Sequence, residues 1–383
     1  MKLMENNKIE DILHLIKERY PQERVEATKQ RLQSLWNLLS MTDRIPYVLY
    51  GMPLKQPPVL ANDVSGEQRE LITQLQTIYE HGEWPDDYVP GLVPGICQVM
   101  IPAYFGCTEA RTSMTSQVKS VVHDPRDVYD LPELGFGPET PGGQMLERMR
   151  YFRRETHGLL SIYEADLQGP FSVASQVWGI ENFLAAIYEY PNEAHHLLSR
   201  CTDVVIKFAE MMRESVDGDW IPYHCVPAVW LPPGKGIAIS EDLVAVVSPQ
   251  VVQEFMRPCL EQIAAAFGGV FLHSCGSINH VIGEINQVSG LIGLNFSSSE
   301  TDLPQLAAEA NDSLVLTVHN SPVSCGNLPV LDVSQHVQLC GQVFRRSRAR
   351  GLCIIIGNFS FPWQTGMSAP LHGGNIDEML CGS

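Results

Sequence analysis

The rhythm of the last third restricts this chain more than any other feature. Short apolar runs at 269–273, 290–295, 313–319 and 352–356 alternate with helical patterns at 277–288, 302–310 and 332–350, without a break. Strands separated by helices pair in parallel, because each crossover returns the chain to the same end of the sheet.

Four earlier segments read as strands: 45–50, 88–100, 159–164 and 220–226. With the later four they make eight, so the expected fold is an α/β (β/α)8 TIM barrel with an N-terminal helical extension. Residues 1–383 are read as one barrel domain, with 1–43 a helical lead-in. A doubly wound sheet is the alternative, but no G-x-G-x-x-G follows any strand. Helices are expected over 66–81, from about Phe171, over 191–215 and from Ser248-Pro249 to Phe267. The stretch 106–150 reads as irregular, and 232–242 as a long loop carrying acids.

Composition excludes several classes. Apolar residues at 44% and charged ones at 18% describe a globular chain with a sizeable core. A net charge of −18 argues against nucleic-acid partners. The one basic run, Arg345-Arg-Ser-Arg-Ala-Arg350, sits where cations suit a helix C-terminus. Ten scattered cysteines and an opening without an apolar signal core point to free thiols in a reducing cytoplasm. No apolar run nears the roughly 20 residues that span a bilayer, so no membrane role is expected.

In such barrels chemistry gathers at the C-terminal ends of the strands. The polar residues there are Glu164, Asp166, His224, Cys225, Glu241, Asp242, His273, Cys275, Asn295, His319, Asn320, Cys325 and Asn358. The set is rich in soft-metal donors and poor in basic groups. Its centre is Phe271-Leu-His-Ser-Cys-Gly276: residues i and i+2 of a strand face the same side, so His273 and Cys275 offer an imidazole and a thiol to one point, as zinc sites do. A lone H-x-C reads equally as the end of a buried strand. His224 and His319 read equally as core histidines, Cys325 as an inert loop thiol, and Glu164, Asp166 and Ser240-Glu241-Asp242 as helix caps. There is no G-x-S-x-G elbow and no phosphate loop.

Several stretches in order, Leu167-Gln-Gly-Pro-Phe-Ser-Val-Ala-Ser175, Ile239-Ser-Glu-Asp-Leu243, Ser248-Pro-Gln-Val-Val-Gln-Glu-Phe-Met-Arg-Pro258 and Phe271-Leu-His-Ser-Cys-Gly276, resemble the uroporphyrinogen decarboxylase superfamily over roughly residues 40 to 380. The resemblance implies a (β/α)8 barrel and one of two chemistries: cofactor-free porphyrinogen decarboxylation, or zinc-dependent methyl transfer between a corrinoid and a thiol or tetrahydrofolate. The decarboxylases carry an arginine-rich R-Q-A-G-R stretch after the first strand. Here that position reads Tyr50-Gly-Met-Pro-Leu-Lys55, with no arginine for a polycarboxylate. The resemblance is closest to the corrinoid methyltransferase branch, whose H-x-C matches His273 and Cys275. That branch's later Cys corresponds to Asn358, a poor zinc ligand.

What the resemblance implies is a methyltransferase binding Zn2+ through His273 and Cys275; with Asn358 at the later Cys position, either Cys325, Glu164, Glu241 or His319 completes the site or metal binding is weakened or lost. Glu164, Glu241 and Asp242 are expected to be catalytic, and Asp166, His224, His319 and Asn358 to bind substrate. Methylcobalamin or a separate corrinoid protein would be the methyl donor or acceptor, since no D-x-H-x-x-G motif appears in the chain; a homodimer is allowed but not required. The alternatives are a decarboxylase-like enzyme acting on a different small carboxylate, and a non-catalytic binding protein.

Overall fold

The computed structural model describes residues 9–39, 44–50, 65–95, 97–111, 116–218, 220–222, 229–347 and 351–357. Its strands are Tyr47–Tyr50 (β1), Gly91–Leu92 (β2), the antiparallel hairpin Thr108–Arg111 and Ser116–Lys119 (β3, β4), Ser161–Tyr163 (β5), Trp220–Ile221 (β6), Ile237–Ser240 (β7), Val270–His273 (β8), Leu291–Ser297 (β9), Val315–His319 (β10) and Leu352–Gly357 (β11). Six pair in parallel in the order β1-β11-β10-β9-β8-β7, and three more as β2-β5-β6. The result is an α/β fold of TIM-barrel type, with helices on the outside of a parallel sheet.

Two junctions join the sheets through something other than a ladder. On one side Gln168, just past β5, bridges Ser240 of β7, with Ser240 N donating to Leu167 O at 3.0 Å and Gly169 N to Ser240 O at 2.8 Å. On the other, β1 faces the buried pair Asp86 and Asp87. Asp87 N donates to Tyr47 O at 2.8 Å, while the Asp87 and Asp86 carboxylates accept from the Tyr47 and Leu49 amides at 3.0 and 2.8 Å. Buried amides need acceptors, and here side chains take the place of a neighbouring strand. Arg44 and Arg31 hold Asp87 at 2.6 and 3.0 Å, compensating its burial.

The lead-in helices are Ile9–Arg19 and Gln22–Trp36. The second supplies Leu32, Leu35 and Trp36 to a cluster that includes Val48, Tyr163, Ala238, Phe271, Val315 and Cys353, one residue from each of several strands. Trp36 meets Phe271 edge-on at 5.2 Å and donates its indole N–H to Trp230 O at 3.0 Å. Gly293 makes room: a Cβ there would lie 3.1 Å from the Trp36 ring and 2.6 Å from Val315 O. The lead-in therefore fills the sheet interior one pleat below His273, which lies two residues beyond Phe271 on β8.

Three expectations need correction. Residues 237–240 form a strand rather than part of a loop. The preceding Pro232-Pro-Gly and Gly236 read as punctuation, yet Ile-Ala-Ile-Ser is wholly buried and pairs with β8 in the register Ser240↔His273. Nine parallel strands are thus present among the described residues, not eight. Residues 106–150 are also more ordered than expected, holding the hairpin and the helix Pro141–Glu155. Pro141 occupies the first helical turn and the Thr140 side chain caps it by accepting from Gly143 N at 3.1 Å. Finally, the helix expected over 277–288 is present but shorter, a 3-10 turn Asn279–Val281 running into the α-helix Ile282–Ile285.

Helix Val333–Ser347 is tied to the sheet by His336, which is fully buried between Ser298 Oγ at 2.8 Å and Ile355 O at 3.2 Å. Desolvation pushes its pKa down to about 4, against the pull of the bonds to Ile355 and Val318. The native state keeps this ring neutral, so the unfolded chain binds the extra proton between about pH 6.5 and 4. The stability it contributes is complete above pH 6.5 and is lost as pH falls through that window, about 3 kcal/mol in all. A His336→Gln variant should show a flatter pH dependence of its urea midpoint from 6.5 to 4 than the parent; equal slopes would contradict this. Trp36→Ala should cost about 3–5 kcal/mol in denaturant unfolding, and a loss below about 1 kcal/mol would show that the interior does not rely on this plug.

Candidate metal centre

The register Ser240↔His273 sets two turns side by side as β7 and β8 end. Glu241 N donates to His273 O at 2.9 Å, extending the ladder by one residue. The next residue, Asp242, then faces Cys275, whose amide donates to Asp242 Oδ1 at 2.8 Å. His273 Nε2 lies 3.2 Å from Cys275 Sγ and 3.8 Å from Asp242 Oδ1. Ligand atoms of the three residues all fall within 4.8 Å of one another.

The imidazole is aimed by its neighbours. Asn295 Nδ2 donates to Thr317 O and Thr317 Oγ1 at 2.8 and 3.0 Å. That commitment turns Asn295 Oδ1 towards His273 Nδ1, which it contacts closely. Nδ1 therefore carries the proton and Nε2 presents its lone pair to the cluster, the arrangement of a metal-binding histidine fixed from behind. His319 lies alongside, its ring stacked at 6.0 Å from that of His273 and its Nδ1 3.4 Å from Asn295 Nδ2. The His273 side chain is 2% exposed and that of Asp242 46%, so the cluster has a closed floor and an open, solvent-facing side.

The field here is negative. The Cys275 thiol is pushed up by desolvation first, then by the carboxylates of Asp242, Glu300 and Asp166. Glu300 is itself raised by desolvation and by Asp242. Acids that penalise one another's charge around a sulfur and an imidazole lone pair are arranged as they would be around a cation. Nitrogen and sulfur donors suit a borderline ion such as zinc, so the residues present fit one.

The remaining expected residues fall in different places. Asp166 is buried and close enough to act on Cys275. Glu164 is buried lower, at the sheet junction, with Oε2 accepting from Ala238 N at 3.3 Å. Glu241 points away from the cluster and caps helix Pro170–Trp178, accepting from Phe171 N, Ser172 N and Ser172 Oγ at 2.9, 2.8 and 2.7 Å. Desolvation pushes it up to about 7 in spite of those bonds. Gly169 permits the fit, since a Cβ there would sit 2.2 Å from Glu241 Oε1. Cys325 does not join the three-residue group; its sulfur lies 4.0 Å from Glu300 Oε1. Asn320 clamps the ends of β10 and β11 through Gly357 N and O, at 2.7 and 3.1 Å. His224, Cys225 and Asn358 lie outside the described residues. Glu300 and Thr317 were not singled out by the sequence. Glu300 belongs to the polar run Ser297-Ser-Ser-Glu-Thr301, which the fold buries throughout.

Comparison with known proteins agrees with this architecture. Residues 93–218 match the family model of uroporphyrinogen decarboxylase (URO-D). The chain thus resembles that superfamily, as its motifs imply. Among solved structures, a methyltransferase from Methanosarcina mazei shares the fold with a TM-score of 0.60 and 15% identity, over 86% of this chain and 93% of its own. No curated protein sequence matches. Among the described residues no helix is long and apolar enough to cross a membrane.

Asn295→Ala removes the group that fixes the His273 tautomer. Zinc affinity, read by competition with a chromophoric chelator, should fall about 10- to 100-fold; unchanged affinity would show that the imidazole needs no such support.

Proposed function

We infer that the chain is a methyltransferase that moves a methyl group between a corrinoid carrier and a thiol or tetrahydrofolate, at a metal held by His273 and Cys275. The observation that carries this reading is the 3.2 Å approach of His273 Nε2 to Cys275 Sγ at the open end of the sheet, with the imidazole lone pair directed there by Asn295. The resemblance to a superfamily with such a branch, and a fold shared with a methyltransferase, support it. The absence of arginines at 50–55 weighs against porphyrinogen decarboxylation.

A divalent ion bound here supplies Lewis acidity that favours the thiolate form of an acceptor sulfur. The chain's own groups do the rest. His273 and Cys275 fix the reacting point on the closed floor of the site, and the exposed side admits the methyl carrier. Glu300, raised by burial and by the neighbouring Asp242 and placed to act on Cys275, is positioned to take the proton that an acceptor thiol loses. A methylated corrinoid carrier would supply the methyl group, which the acceptor sulfur would take up as S–CH3 while the carrier kept the electron pair of the bond lost. Glu241 supports the turn through its helix cap, and a separate corrinoid protein is the partner this chemistry needs.

Incubation with methylcobalamin and a panel of thiols or tetrahydrofolate, followed through the cobalamin spectrum, tests the reading. At least one acceptor should be methylated, and His273→Ala and Cys275→Ser should each slow the reaction roughly 100-fold or more. If no acceptor demethylates the cofactor, the reading fails.

A further inference from the structure

We propose that Asp242 is the third protein ligand of the metal, giving the centre one nitrogen, one sulfur and one oxygen donor. The inference rests on the metal reading above and deepens it. Three observations carry it. The ligand atoms of Asp242, His273 and Cys275 form a mutual cluster within 4.8 Å, which neither Cys325 nor any other described group joins. The Asp242 carboxylate is already held in place, because Oδ1 accepts from the Cys275 amide at 2.8 Å while lying 3.8 Å from His273 Nε2. The turn that carries it is anchored from below, since the preceding Glu241 binds the first turn of helix Pro170–Trp178 through three hydrogen bonds. Little conformational freedom remains to be lost on binding.

Charge supports the same set. A thiolate and a carboxylate neutralise a divalent ion, so the filled centre adds no net charge to a floor where His273 is 2% exposed. A hard carboxylate donates less charge to a borderline ion than a second thiolate would, leaving more Lewis acidity for an incoming sulfur. The half-exposed Asp242 and exposed Cys275 leave the solvent side as the open coordination position that a catalytic site needs. The mixed set should prefer Zn2+ and Co2+ over Mg2+ or Ca2+, which take oxygen ligands.

The test uses the full chain, stripped of metal and titrated with Zn2+ and Co2+. The readouts are stoichiometry, affinity by chelator competition, and the thiolate-to-Co(II) charge-transfer band. The parent should bind one ion per chain. Asp242→Asn should lose about 10- to 100-fold in affinity, with the melting temperature of the metal-free protein unchanged. Cys325→Ser should bind as the parent does. Asp242→Cys should restore tight binding and strengthen the charge-transfer band, which guards against a variant that merely folds poorly. Parental affinity in Asp242→Asn, or the loss appearing in Cys325→Ser instead, would overturn the assignment while leaving a His273–Cys275 metal site standing. Failure of the parent to bind either ion would overturn both.

Discussion

The parallel pairing of β7 with β8 decides where this chain can do chemistry. Matching Ser240 with His273 brings two strand exits level, so that a carboxylate from one turn and a thiol from the other meet above a buried imidazole. A shift of one residue would turn His273 out of the sheet interior and send Asp242 to a different height. The site is therefore a consequence of sheet register first and of residue chemistry second. The bridge from Gln168 to Ser240 extends this control to the neighbouring junction, where Glu241 locks the following helix in place.

Below the site the fold spends its largest side chains on keeping that register. Trp36 and Phe271 fill the interior one pleat down, and Gly293 is the space that admits them. At the opposite junction, buried Asp86 and Asp87 stand in for a missing ladder, with Arg44 and Arg31 balancing the charge. The polar layer of His273, Asn295, Thr317 and His319 lies directly above the apolar one. Polar groups at that depth are tolerated because each is tied to another. Asn295 is the hinge of the network, satisfying Thr317 with its amide and aiming His273 with its carbonyl.

Much of this was legible in the sequence, and the limits have physical causes. The strand and helix rhythm after residue 269 gave the parallel sheet, because both periods are local properties of the chain. His273 and Cys275 were visible as a pair for the same reason. Asp242 was visible as a strand-end acid, but its strand was hidden behind prolines and glycines, so its place beside His273 was not. Glu241 looked like an equal candidate; only the fold shows its oxygens bound to a helix start seventy residues earlier in the chain. The role of Trp36 could not be read at all, since its hydrogen-bond partner lies 194 residues away. Glu300 was missed because a run of serines ending in an acid reads as a surface turn, while here it is folded inward.

The central claim is a soft-donor metal centre built on His273 and Cys275, and X-ray absorption at the zinc edge of the metal-loaded full chain addresses it most directly. The account predicts a first shell with one sulfur and the remaining neighbours nitrogen or oxygen, the sulfur contribution vanishing in Cys275→Ser. A shell of light atoms alone in the parent protein, or a sulfur contribution that survives that substitution, would contradict it.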